Sequence, residues 1–125
     1  MKPKRWSESI QPLEDMRSNA ISAAEMLEGA SPGWWESDKT LRFALLYVVQ
    51  VVGEAARRVP VQVRELAPEI PWMRIVGIRS FIVHEYDQLD PAIVQDVLTK
   101  KFPALVPQLA LLLSKVRERG DDLIP

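Results

Sequence analysis

The stretch Leu41-Arg42-Phe43-Ala44-Leu45-Leu46-Tyr47-Val48-Val49-Gln50-Val51-Val52-Gly53 decides the architecture of this chain. Ser37 or Asp38 ahead of it caps a helix, and Pro60 ends that helix after about Val59. The helix is apolar nearly all round, so it must be covered on more than one side. In a small bundle that predicts a subunit interface as well as a core. Its many valines are mediocre helix formers, so packing rather than propensity must hold it. From Phe43 to Gly53 only Gln50 breaks the apolar run, which is far shorter than the roughly 20 residues that span a bilayer.

Outward from this helix the apolar residues recur at three and four rather than at two, so strand signals are poor. Upstream, Ile10, Leu13, Met16, Ala20, Ala24 and Leu27 make one stripe, predicting a helix from about Ser9 to Glu28. Pro12 is tolerated in its first turn, and Gly29 stops it. In the linker Ala30 to Glu36, the pair Trp34-Trp35 reads as a lid on the core. Downstream, a short helical turn covers Val61 to Leu66, and Pro71 opens a helix to about Tyr86. Gly77 inside that helix costs about 1 kcal/mol against alanine, which predicts that another helix comes close there. Asp90-Pro91 starts a further helix, Pro103 should break or kink it after Lys100-Lys101, and a last helix runs from about Ala104 to Glu118. The expected fold is all-α: an up-down bundle of four to five helices, forming a homodimer.

The bulk composition agrees. A chain of 125 residues fits one domain, 1–125, and buries roughly two thirds of its unfolded surface. Without cysteine it has no disulfide framework, thiolate ligand or thiol nucleophile. With one histidine and no paired acidic motif at ligand spacing it lacks a convincing metal cage. No glycine-rich phosphate loop is present, and no cofactor is expected. The net charge of -1 means the surface as a whole does not attract polyanions, so any nucleic acid must be met at a local basic pocket. The basic N-terminus is followed by polar residues rather than an apolar core region. A cytoplasmic protein without membrane contact is expected.

The most informative residues are Gly53-Glu54-Ala55, Ile70-Pro71-Trp72, Gly77-Ile78-Arg79 and His84-Glu85-Tyr86. From about Asp38 to Leu113 the chain resembles the HepT-like branch of HEPN domains, most specifically in the pattern Arg-x-x-x-x-His-x-Tyr, filled by Arg79, His84 and Tyr86. The resemblance implies the toxin of a toxin–antitoxin pair, a metal-independent endoribonuclease that dimerises so that two motifs line one cleft. It also implies a nucleotidyltransferase antitoxin that adenylylates Tyr86, bringing negative charge beside Arg79 and His84. Relatives most often carry asparagine after the motif arginine; here Ser80 keeps a hydroxyl but loses the amide's second contact.

The chemistry is readable in the residue types. Attack of a ribose 2′-hydroxyl on the adjacent phosphate needs a proton acceptor, a proton donor and a cation. Histidine titrates near neutrality and can be acid or base. Arginine is always charged and holds phosphate oxygens bidentately. His84 is the chain's one histidine, so a two-histidine mechanism needs a second subunit. On an ideal helix, residues five apart lie about 140° apart, so Arg79 and His84 do not share a face, whereas Ser80 and His84 do, and Arg79 and Tyr86 nearly do. A second chain is the expected means of closing the site. Glu54, in the most apolar helix, needs a partner: either Arg79, which would make it an orienter, or Arg57 and Arg58 on an exposed edge. Arg57-Arg58 and Lys100-Lys101 are either an RNA track or solvated faces. The alternative reading is a non-catalytic HEPN subunit that binds nucleotide or substrate for a nucleotidyltransferase.

Overall fold

The computed structural model describes residues 2–125, with the side chains of Val83 and Tyr86 left out. Four long helices dominate: α1 (Ile10–Leu27), α3 (Lys39–Arg57), α5 (Trp72–His84) and α7 (Phe102–Arg119). Short helices α2 (Trp34–Ser37), α4 (Val61–Arg64) and α6 (Pro91–Asp96) lie in the connections. Among the described residues there is no strand, only an isolated bridge between Arg5 and Leu123. The molecule is the expected all-α bundle.

The anticipated stops and starts act through their backbone chemistry. Gly29 adopts φ 77°, a left-handed conformation that glycine reaches without steric cost. The Asp38 carboxylate accepts the Leu41 N–H at 3.0 Å and caps α3. Asp90 accepts the Ala92 N–H at 2.9 Å and caps α6, with Pro91 in its first turn. At the far end of α3, the Arg64 guanidinium donates to the carbonyls of Ala56 and Val59, both at 3.0 Å. It also lies over the ring of Trp72, 5.8 Å from the centroid. The Trp72 indole donates to the Ala67 carbonyl at 3.1 Å. One arginine and one tryptophan thus tie the end of α3 to the start of α5.

α1 is the central helix: it packs along both α3 and α7, while α3 packs along α5 on its other side. The core is made by Leu13, Met16 and Ala20 of α1, Leu45, Val49 and Val52 of α3, and Leu105, Leu109 and Leu112 of α7. Burying a leucine or valine of this kind contributes roughly 1.5–3 kcal/mol. The helices do not close into a ring, because α5 packs along α3 and not along α7. A groove of about 1100 Å³ is left between α5 and the α6–α7 arm. The two chain ends are clasped: Trp6 N–H donates to Asp122 at 3.1 Å and Ile124 N–H to Lys4 at 2.8 Å.

Four expectations are corrected. Trp34-Trp35 is a turn of helix, not loop, with Trp35 buried and the two rings edge to face at 5.6 Å. Pro103 does not break its helix. The backbone relaxes into a π turn over Val97–Lys101 and continues as α7 from Phe102, so Pro91–Arg119 is one continuous helical run. A proline cannot return a hydrogen bond to the carbonyl four residues back, and the wider turn accommodates that loss. This run alone among the described helices is long and apolar enough, by length and composition, to cross a membrane. Its face formed by Val94, Leu98, Phe102, Leu105 and Leu109 is buried in the bundle core. The motif helix ends at His84 rather than Tyr86, which begins a 3-10 turn, Tyr86–Gln88.

The fourth correction concerns close approach. Gly77 is exposed, and a Cβ built on it meets nothing within 4 Å. The glycine that lets two helices meet is Gly53, buried in α3. A Cβ there would collide with the Cβ of Arg79 and lie 3.0 Å from the Ile75 carbonyl oxygen. Gly53→Ala is therefore expected to lower unfolding free energy by about 1–3 kcal/mol through overpacking. Gly77→Ala should raise it by about 1 kcal/mol through helix propensity. Denaturant titrations of the two variants measure both signs.

Candidate functional site

The close crossing at Gly53 places Arg79. With no side chain at Gly53, the α5 backbone lies directly on α3, and the Arg79 Cβ packs against the glycine. The next residue of α3, Glu54, then presents its carboxylate to Arg79: Oε2 lies 3.7 Å from Arg79 Nε. Arg79 is 35% exposed and Glu54 37%, so the premise of a buried acid does not hold. Glu54 sits at an edge where it serves two arginines. Its closer partner is Arg57, whose Nη2 donates to Oε1 at 2.6 Å and whose Nε donates to Oε2 at 3.2 Å.

These contacts fix the electrostatics of the edge. The hydrogen bonds from Arg57 hold the Glu54 carboxyl below its ordinary value of 4.5, partial desolvation opposes them, and the charges of Arg57, Arg79 and Arg58 pull the same way as the bonds. The two partners proposed from sequence, Arg79 and the Arg57-Arg58 pair, are therefore both engaged, with Arg57 the stronger. Arg58 also reaches Asp15 of α1, at 3.4 Å.

His84 is the last residue of α5 and its side chain is exposed. Ser80 is exposed one turn before it. Among the described residues, no side-chain hydrogen bond joins either of them to Arg79 or to the other. Five residues of helix separate Arg79 from His84, about 140° of rotation, so the guanidinium faces α3 while the imidazole faces solvent. α5 ends at His84, so Arg79 and Tyr86 are not carried by one α-helix. The Tyr86 side chain lies outside the described residues. Lys100 pairs with Asp96 across one helical turn, 3.4 Å apart.

Close to this edge, α3 keeps two aromatic side chains on its surface. Phe43 is 47% exposed and Tyr47 60%. Lys39 and Arg42 lie over the Phe43 ring, 5.4 and 5.5 Å from its centroid. Because α3 and α5 cross antiparallel with Gly53 against Ile75 and Arg79, the Phe43–Tyr47 end of α3 lies toward the His84 end of α5. Sequence reasoning named the helix as over-apolar but did not single out these two residues. It also missed Gly53, whose signal was present as the glycine of Gly53-Glu54-Ala55. Among the described residues, no group of three or more His, Asp or Glu is placed to hold a metal ion.

Comparison with known proteins gives the family. A profile of the family described as ribonuclease HepT-like matches residues 16–112. A candidate RNase of Caldanaerobacter subterraneus subsp. tengcongensis is 30% identical over 103 residues, 82% of this chain and 92% of that protein. A candidate RNase of Methanocaldococcus jannaschii is 23% identical over 100 residues, 80% of this chain and 92% of that protein. A protein of Thermococcus cleftensis assigned as ribonuclease HepT is 29% identical over 68 residues, 54% of this chain and 62% of that protein. No solved structure matches significantly. With residues 16–112 of its 125 matched by the family's profile, this chain belongs to the HepT-like ribonuclease family.

Proposed function

We propose that the chain is the toxin of a toxin–antitoxin pair, a metal-independent endoribonuclease whose site is completed by a second copy of itself. The observation that carries this reading is the disposition of Arg79 and His84, one held against α3 and the other at the open end of α5. A single chain offers one histidine and one motif arginine on different faces. Two chains meeting across the exposed Phe43–Tyr47 face of α3 and the adjoining edge of α5 bring two of each to one cleft. That pairing also covers aromatic surface that a monomer leaves in water.

In this cleft the 2′-hydroxyl of RNA loses its proton to one neutral His84 as its oxygen attacks the adjacent phosphorus. The bond from phosphorus to the 5′-oxygen breaks, and that oxygen takes a proton from the other chain's His84 in its imidazolium form. The products are a 2′,3′-cyclic phosphate and a 5′-hydroxyl. Arg79 donates to the phosphate oxygens as charge builds on them. Glu54 does not touch the reacting atoms: it is a positioning residue that holds the Arg79 arm along α3, with Ser80 supporting on the histidine side.

Regulation follows from Tyr86, two residues past His84. A partner nucleotidyltransferase transfers adenylate from ATP to the tyrosine oxygen: the oxygen–phosphorus bond forms and pyrophosphate leaves. The added phosphate presents an anion to the same cations that RNA needs.

His84→Ala and Arg79→Ala should each slow RNA cleavage by about 10²-fold or more, with helical content unchanged and no loss of the wild-type rate in chelator. Cleavage at the wild-type rate by both folded variants would sink the assignment; nucleotide binding without cleavage would favour a non-catalytic subunit. Intact mass after co-expression with a nucleotidyltransferase of the proposed antitoxin class should rise by one adenylate, and Tyr86→Phe should abolish the increment. Glu54 should titrate below 4.5 by carbon-13 NMR. Its share of stability is thus present above that value and lost as pH falls through the folded-state pKa. Arg57→Ala should move the midpoint up more than Arg79→Ala.

A further inference from the structure

We infer that the shallow pocket at the C-terminal end of α3 seats a backbone phosphate of the RNA strand, next to the phosphate that Arg79 receives. The inference rests on the ribonuclease reading above and extends the substrate's path beyond the bond that is cut. The pocket holds about 670 Å³, within the range of small-ligand sites. Four cations line it, Lys4, Arg57, Arg58 and Arg64, against one carboxylate, Glu8. With Arg79 and the nearby acids Asp15 and Glu54 included, five cations stand against three carboxylates. The whole chain carries a net charge of -1, so this is a local basic pocket of the kind such a chain needs to meet a polyanion.

A chain of contacts joins the pocket to the motif arginine. Glu54 lies 3.7 Å from Arg79 and accepts from Arg57 Nη2 at 2.6 Å. The Arg57 carbonyl in turn accepts from Arg64 Nη2 at 3.4 Å. Arg57 follows Gly53 by four residues, so it shares the glycine's face of α3, about 6 Å further along the axis. His84, Arg79 and Arg57 thus succeed one another along α3: the histidine toward its Phe43–Tyr47 end, Arg79 at the Gly53 crossing, Arg57 beyond it. A strand drawn past the first two enters the pocket.

The cations divide into a fixed charge and free donors. A helix C-terminus repels anions, but here the Arg64 guanidinium covers it, donating to the carbonyls of Ala56 and Val59. Arg57 and Arg58 are 59% and 49% exposed. Among the described residues the Nη1 groups of both donate to nothing, nor does the exposed Lys4 ammonium. Glu8 is turned to the backbone, where it accepts the Arg5 N–H at 3.0 Å. Arginine presents paired donors matched to phosphate oxygens, and Pro60 and Val61 offer a ribose an apolar wall. The other basic pair, Lys100-Lys101, has no such surround, and Lys100 is paired with Asp96.

The probe is a short labelled 2′-O-methyl RNA, which has no 2′-hydroxyl to attack, so fluorescence anisotropy reads binding by the full chain apart from cleavage. The Lys4→Ala, Arg58→Ala double variant should bind about tenfold more weakly, with a dependence of log Kd on log salt shallower by about 1.4, the share of two single-strand phosphate contacts. The Lys100→Ala, Lys101→Ala double variant, which loses the same charge, should keep the wild-type affinity. On cleavable RNA the Lys4, Arg58 variant should raise KM about tenfold and lower kcat far less than Arg79→Ala does. Circular dichroism and the thermal midpoint establish that the variants are folded. Wild-type affinity in the Lys4, Arg58 variant overturns the proposal, as does an equal loss in the Lys100, Lys101 variant. Weakened capture of a nucleotidyltransferase by the Lys4, Arg58 variant, with RNA affinity unchanged, assigns the pocket to that protein and overturns it as well. Absence of cleavage by the wild type, with the binding differences intact, sinks the catalytic reading and leaves the phosphate seat supported.

Discussion

The contact of the α5 backbone with Gly53 is the constraint from which the rest of the site descends. Two helices carrying ordinary side chains at their crossing stand 8–10 Å apart, but here a position with no Cβ lets α5 settle onto α3. The position that settles against the glycine is Arg79, so the arginine's root is fixed by packing before any charge is considered. Glu54 then follows from chain order, since the residue after the glycine points its carboxylate along the same edge. A site whose cation is placed by van der Waals exclusion and only trimmed by electrostatics keeps its geometry when salt screens the ion pair.

The arrangement also separates two demands on one helix. Arg79 on the inner side of α5 is half-buried and shares Glu54 with Arg57. His84, at the helix end, stands in water. Glu54 spends its better hydrogen bonds on Arg57 and reaches Arg79 at 3.7 Å. The looser pairing leaves the guanidinium's donors less engaged by Glu54 than a bidentate clamp would have.

Much of the fold was legible in the sequence because it is carried by local chemistry. Asp38, Gly29, Asp90 and Pro91 mark helix ends wherever the chain goes, the periodic stripe of α1 reports one buried face, and the nearly all-round apolar surface of α3 reports cover on more than one side. The misreadings arose where a residue's role depends on a partner distant in sequence. Gly77 and Gly53 are both glycines inside helices, and only the packing tells that Gly53 meets a neighbour and Gly77 does not. Pro103 was read as a break or kink because its missing N–H is a local fact, while the core contacts of Leu98, Phe102 and Leu105 that carry the helix on past a π turn are not. The candidate residues Arg79, His84 and Glu54 were named from the sequence, and the angular mismatch between the first two follows from helix geometry alone. The division of Glu54 between two arginines was not, because it depends on how deeply α3 sits, and that is set by α5.

The failure of α5 to meet α7 has a dynamic side. α1 and α3 are each held on two flanks, whereas α5 is held along α3 alone, and beyond it the chain passes into a 3-10 turn. Cooperative units of a protein open with free energies that follow their buried contacts. α5 and α7, each held along one long helix, are therefore the long helices expected to open before α1, which is flanked on two sides. Anything that clamps α5 along its α3 edge restricts that opening.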